Sequence, residues 1–176
     1  MMNTETDITW MTAALEEARL AADLGEVPVG AVAVAGGEII ARAHNRIELD
    51  RDAAAHAEML LLHEVCRILD RWRLSDVTVY VTVEPCPMCA MALVLHRVAR
   101  VVFGAPEPRT GAAGSFINLL TNPALNHAVA VTAGVCRDDA SELMKAFFRN
   151  RRESSMEIWI DDTQTTPCTP CLQTNL

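Results

Sequence analysis

Residues 78–95, TVYVTVEPCPMCAMALVL, constrain the fold more than any other stretch. Thr78 to Val83 is a short β-branched and aromatic run, the composition of a buried strand. Cys86 to Leu95 follows after only Glu84-Pro85 and is apolar at helical length, with Pro87 suited to the first helical position. A strand running straight into a helix must lie in a sheet that the helix covers. Cys86 and Cys89 then sit three residues apart on one face of the first turn. There the positive helix end favours thiolate over thiol.

Similar patterns divide the rest of the chain. Ile8 to Leu24 repeats apolar residues at helical spacing, with Asp7 as its expected N-cap and Gly25 as its stop. Gly30 to Ala35 and Glu38 to Ala43 flank Gly36-Gly37, which predicts a two-stranded hairpin. A helix is expected over Ala53–Leu69, strands over Arg100–Phe103 and Ala128–Ala133, and a closing helix over Asp138–Arg152. The αβαβ order from residue 53 implies a layered α/β domain. From residue 153 the sequence turns polar, Thr-rich and Pro-broken, so the expected organisation is one domain over 1–152 and a polar tail over 153–176. At 176 residues and 51% apolar, such a chain builds its core without disulfide staples.

The thiol pair alone is ambiguous, because a C-x-x-C at a helix start also describes thioredoxin-like redox sites. His56 and Glu58, in HAE at the start of the preceding helix, change the balance. His56, Cys86 and Cys89 make three protein ligands, the number that leaves a tetrahedral Zn²⁺ with one position open to water. Glu58 would stand beside that water and carry its proton. Residues i and i+2 lie about 200° apart on a regular helix, so both can face one pocket only if His56 lies at an irregular helix entry. This combination of His-x-Glu and Pro-Cys-x-x-Cys is the signature of zinc nucleobase deaminases. Cys66 and Cys136 read as small buried hydrophobes, and Cys168/Cys171 lacks the further ligands a second zinc site needs.

The net charge of −8 argues against nucleic-acid binding over the whole surface. Lys145, Arg149, Arg151 and Arg152 nevertheless cluster beside Phe147 and Phe148, as either a solvated helix face or a local RNA contact. No apolar run is long enough to span a membrane and no leader-like segment occurs at the N-terminus, so the expected location is cytoplasmic.

From about Trp10 to Arg152 the chain resembles the bacterial tRNA-specific adenosine deaminase family. Besides the zinc signature, the resemblance rests on EVPVGAV (26–32), HNR (44–46), RVVFGA (100–105), TGAAGS (110–115) and FFRNRR (147–152). It implies a three-layer cytidine deaminase-like fold with a five-stranded mixed sheet between helices. One Zn²⁺ per subunit would be held by His56, Cys86 and Cys89, with Glu58 as catalytic proton shuttle. The implied reaction converts the wobble adenosine of an arginine tRNA to inosine. Asn45 would contact the flipped base, with Val29 and Pro28 shaping its pocket, and Phe147, Phe148 and Arg149 would meet the tRNA anticodon stem-loop. A homodimer is also implied.

Three departures from the family stand out: Pro106, Glu107 and Pro108 in the loop after RVVFGA, Met91 where relatives carry Gly, and the acidic tail. The zinc signature alone also fits a deaminase of a free base or nucleoside such as guanine or cytidine. Met91 resembles a non-catalytic partner subunit, although such subunits lack the acid that Glu58 supplies.

Overall fold

The computed structural model describes residues 5–161, with side chains as far as residue 153. Ten elements follow one another: α1 (Glu5–Asp23), β1 (Gly30–Ala35), β2 (Glu38–His44), α2 (Ile47–Asp50), α3 (Ala57–Leu69), β3 (Thr78–Val83), α4 (Pro87–Leu95), β4 (Arg100–Ala105), β5 (Ala130–Ala133) and α5 (Arg137–Asp161). The strands form one mixed sheet in the order β2-β1-β3-β4-β5. β2, β1 and β3 pair antiparallel, whereas β3, β4 and β5 run parallel, the β3–β4 crossover being made by α4.

Alternation along the strands builds a core on each face of the sheet. Ala31, Ala33, Val79, Val81, Val101 and Phe103 meet Leu61, Leu62 and Val65 of α3 and Leu93 of α4. The intervening Val32, Val34, Tyr80 and Val102 meet Met11 and Ala14 of α1. Each large aliphatic side chain buried this way contributes about 1.5–3 kcal/mol. α1 packs so close to β1 that a Cβ on Gly30 would run into the backbone of Ala14 and Ala18. The result is the three-layer α/β architecture with a five-stranded mixed sheet that the sequence implied.

Both glycines of the Gly36-Gly37 turn have positive φ, 61° and 84°, as a tight two-residue hairpin demands. Other boundaries differ from expectation for identifiable reasons. Asp7 does not cap α1, which is already helical at Glu5. It is 2% exposed, and both its oxygens accept from the Arg100 guanidinium at 2.9 and 2.8 Å. The Tyr80 hydroxyl also donates to it at 2.9 Å. A long-range ion pair has taken an acid whose position in sequence suited a cap. α3 starts at Ala57 rather than Ala53, because Asp52 accepts the Ala54 N–H in a local turn. The short α2 was not expected. α5 runs through the polar stretch after Arg152 as far as Asp161. The Cys168/Cys171 pair lies outside the described residues. Among the described residues no helix is long and apolar enough to cross a membrane.

Candidate active site

The C-terminal end of β3 and the starts of α3 and α4 converge on one point. His56 is the N-cap of α3 in an extended conformation (φ −73°, ψ 150°), and Cys86 is the N-cap of α4 (φ −72°, ψ 171°). Because His56 lies outside the helical turn, it and Glu58 reach the same pocket despite their i, i+2 spacing. His56 Nδ1 lies 3.7 Å from Cys86 Sγ and 3.5 Å from Cys89 Sγ. All three donor atoms fall within 4.8 Å of one another. Ordinary zinc–sulfur and zinc–nitrogen bonds at tetrahedral angles place sulfur and nitrogen ~3.6 Å apart, so the donor set fits Zn²⁺ without rearrangement. Hydrogen bonding from Cys89, followed by that of His56, lowers the Cys86 thiol to about 4, and Cys89, as the donor, is pushed up.

Glu58 is 3% exposed in the first turn of α3. Burial is the main cause that raises its carboxyl to about 7, with the Cys86 thiolate adding to it and His56 opposing. A carboxyl in that range both takes and gives protons near neutrality.

Val27, Val29, Ile47, Val83 and Met144 supply the apolar lining of the pocket, with Asn45, Glu84, Glu107 and Thr110 among its polar groups. Its volume of about 190 Å³ suits a single base better than a larger ligand. Asn45 is buried, and its side-chain oxygen accepts the Ala57 N–H at 2.9 Å while its own backbone N–H donates to Val29. With that oxygen committed, the side-chain NH₂ is the group Asn45 can offer a base.

Of the expected contact residues, Val29 and Asn45 line this pocket, while Pro28 is buried behind the wall. Phe147, Phe148 and Arg149 do not line it. Phe147 borders a neighbouring cavity with Ala22, Gly25 and Leu143, its ring edge-on to Phe148 at 5.4 Å between centroids. α5 reaches the pocket itself through Met144, one residue after Leu143. The sequence reading passed over Met144, Val27 and Ile47, whose apolar character gave no signal. It also passed over Glu84, which the chemistry of the adjacent Pro-Cys eclipsed.

Residues 5–152 match the MafB19-like deaminase family. The chain is 50% identical over 147 residues to the tRNA-specific adenosine deaminase of Bacillus subtilis, covering 84% of this chain and 91% of that protein. It is 45% identical over 145 residues to the enzyme of that name from Aquifex aeolicus, covering 82% and 95%. The chain belongs to the tRNA-specific adenosine deaminase family. Among solved structures, it resembles one from work on A-to-I editing by tRNA:A34 deaminases at the wobble position of transfer RNA. That match has a TM-score of 0.74 at 39% identity and covers 77% of this chain and 98% of the other. The guanine deaminase of Nitrosomonas europaea shares the fold at a TM-score of 0.70 but only 25% identity, with coverages of 84% and 86%. In this member of the tRNA-specific adenosine deaminase family, Glu107 stands in the pocket wall between Pro106 and Pro108.

Proposed function

We propose that this chain deaminates the adenosine at the wobble position of an arginine tRNA anticodon, producing inosine. The observation that carries this reading is a buried Glu58 beside a His56/Cys86/Cys89 donor set, in a chain 50% identical to a tRNA-specific adenosine deaminase. His56 Nδ1 and the two sulfurs would hold one Zn²⁺ per subunit. When bound, zinc supplies Lewis acidity that makes water a nucleophile at neutral pH.

The residues of the chain perform the rest. Asn45 orients the flipped base by donating from its side-chain NH₂, and Val27, Val29 and Met144 exclude bulk water from around it. Pro28 stiffens the segment that carries the two valines. Glu58 takes a proton from the attacking water and delivers it to N1 as oxygen bonds to C6. It then takes the remaining proton of the oxygen added at C6 and gives it to the amine, the C–N bond breaks as that oxygen becomes the carbonyl, and ammonia leaves. Water and adenosine become inosine and ammonia, and Glu58 ends in its starting state. Phe147, Phe148 and Arg149, one turn along α5 from Met144, suit the flanking single-stranded nucleotides by stacking and phosphate contact.

Supporting a homodimer, Met88 and Leu95 stand exposed two turns apart on α4, with Met91 partly exposed between them. Phe116 and Ile117 are exposed as well, on a loop tied to the start of α4 by the Ala112 N–H to Pro85 carbonyl bond. A second copy of the chain is the occupant we assign to this apolar surface, so that Met91 serves the dimer rather than marking an inactive subunit. The catalytic unit is residues 1–152, with 153–176 as an appendage. Its working location is the cytoplasm, where tRNA is matured.

Incubation of zinc-loaded protein with arginine tRNA, followed by sequencing for inosine, tests the assignment. Conversion confined to the wobble adenosine is the expected result. Ammonia release from free guanine or cytidine without conversion of tRNA would overturn it.

A further inference from the structure

Glu84 plays no part in the proton transfers above, yet its carboxylate is the most densely bonded side chain near the pocket. The backbone N–H of Glu107 donates to one oxygen at 3.0 Å, and the Ser115 hydroxyl donates to the same oxygen. The N–H groups of Ala113 and Ser115 donate to the other at 2.9 and 3.0 Å. All four donors belong to residues 107–115, a loop without helix or paired strand between β4 and β5 apart from the single Ala113–Asn118 bridge. Within that loop, Gly111 passes so close that a Cβ there would strike the Glu84 carboxylate and the Glu107 carbonyl.

Glu107 and Thr110 of the same loop line the candidate active-site pocket. We infer that Glu84 is a positioning residue, the post around which residues 107–115 fold so that Glu107 and Thr110 are held in the substrate wall. The inference rests on the deaminase reading and deepens it, by assigning one wall of the substrate site to a single buried carboxylate. The metal ligands have separate supports: Glu84 N–H bonds the Ala105 carbonyl at 2.9 Å, and Ala112 N–H bonds the Pro85 carbonyl at 2.8 Å. Loosening the carboxylate clamp therefore weakens substrate binding while leaving the donor set and Glu58 in place.

Glu84→Gln exchanges an acceptor for an NH₂ that cannot accept from either donor on its side, and Ser115→Ala removes one donor at an exposed position. With an anticodon stem-loop as substrate, the expected result for Glu84→Gln is a KM raised about tenfold, with kcat within about threefold of the parent and full zinc content. Ser115→Ala should raise KM about threefold. Amide hydrogen exchange at Glu107, Ala113 and Ser115 should speed up in both variants while α3 and α4 keep their protection. Unchanged exchange in this loop would overturn the inference whether or not the protein acts on tRNA. So would an unchanged KM in variants of an active enzyme, or a loss confined to kcat. If Glu84→Gln fails to fold, Ser115→Ala decides by the same criteria. A parent protein that makes no inosine would instead remove the functional assignment, and loop exchange would still decide the role of Glu84.

Discussion

Asp7 and Glu58 are both buried carboxylates, 2% and 3% exposed, and their surroundings set them to opposite tasks. Asp7 lies on α1 against the start of β4, bonded by Arg100 through both oxygens and by the Tyr80 hydroxyl. The pair raises the guanidinium of Arg100, and burial together with Asp7 pushes the Tyr80 phenol up, so both partners keep the protons they donate to Asp7. Glu58 faces two sulfurs and an imidazole, and burial drives its carboxyl to about 7. Burial of an acid predicts nothing by itself; its partners decide, a cation at Asp7 and backbone N–H groups at Glu84 holding the fold, thiols and an imidazole at Glu58 suiting proton transfer.

Four experiments can break or sharpen that contrast, the first three in falling order of effect. Removing metal with a chelator should cut inosine formation by about a thousandfold or more, and added zinc should restore it. Ammonia release and tRNA sequencing check this. Asn45→Ala deletes both the bond to Ala57 and the NH₂ offered to the base, and should lower kcat/KM by about 10–100-fold. Asp7→Ala leaves Arg100 without its buried partner and should cost about 2–3 kcal/mol, the cation being one-third exposed, or roughly 5–10 °C in Tm. The kcat of the folded fraction should not change, because Asp7 is remote from the reaction. The fourth effect is electrostatic. In chelated protein, folded Glu58 keeps its proton to about 7, whereas its ordinary value is 4.5, so the folded chain binds more protons between these limits. Stability should therefore fall as pH rises through that window, and Glu58→Gln should flatten the fall, as denaturant titrations at several pH values can record.

The layered sheet and most helices were legible because their signals are local: β-branched runs, helical spacing and a double-glycine turn. So was the heart of the site, since i, i+3 cysteines after a strand can hardly avoid sharing one face. Asp7 was misplaced because a capping acid and an ion-paired acid look alike until Arg100, far along the chain, is brought beside it. The α2 turn and the late start of α3 depend on side-chain-to-backbone bonds such as Glu26 to Leu49 N–H and Asp52 to Ala54 N–H. The end of α5 was set too early because polar composition stops packing but does not by itself stop a helix. Glu84 and Met144 stayed hidden for opposite reasons. One acts on a loop more than twenty positions away, and the other is an ordinary apolar residue until α5 swings it over the pocket.

The claim that the buried carboxylate of Glu58 carries the proton is tested most directly with Glu58→Gln. The measurement is single-turnover formation of wobble inosine in an arginine tRNA anticodon stem-loop, on zinc-matched parent and variant. The predicted result is a rate at least about a thousandfold below the parent at equal zinc content and equal stem-loop affinity. Conversion by the variant within about tenfold of the parent would contradict it, and would move the proton shuttle to another group.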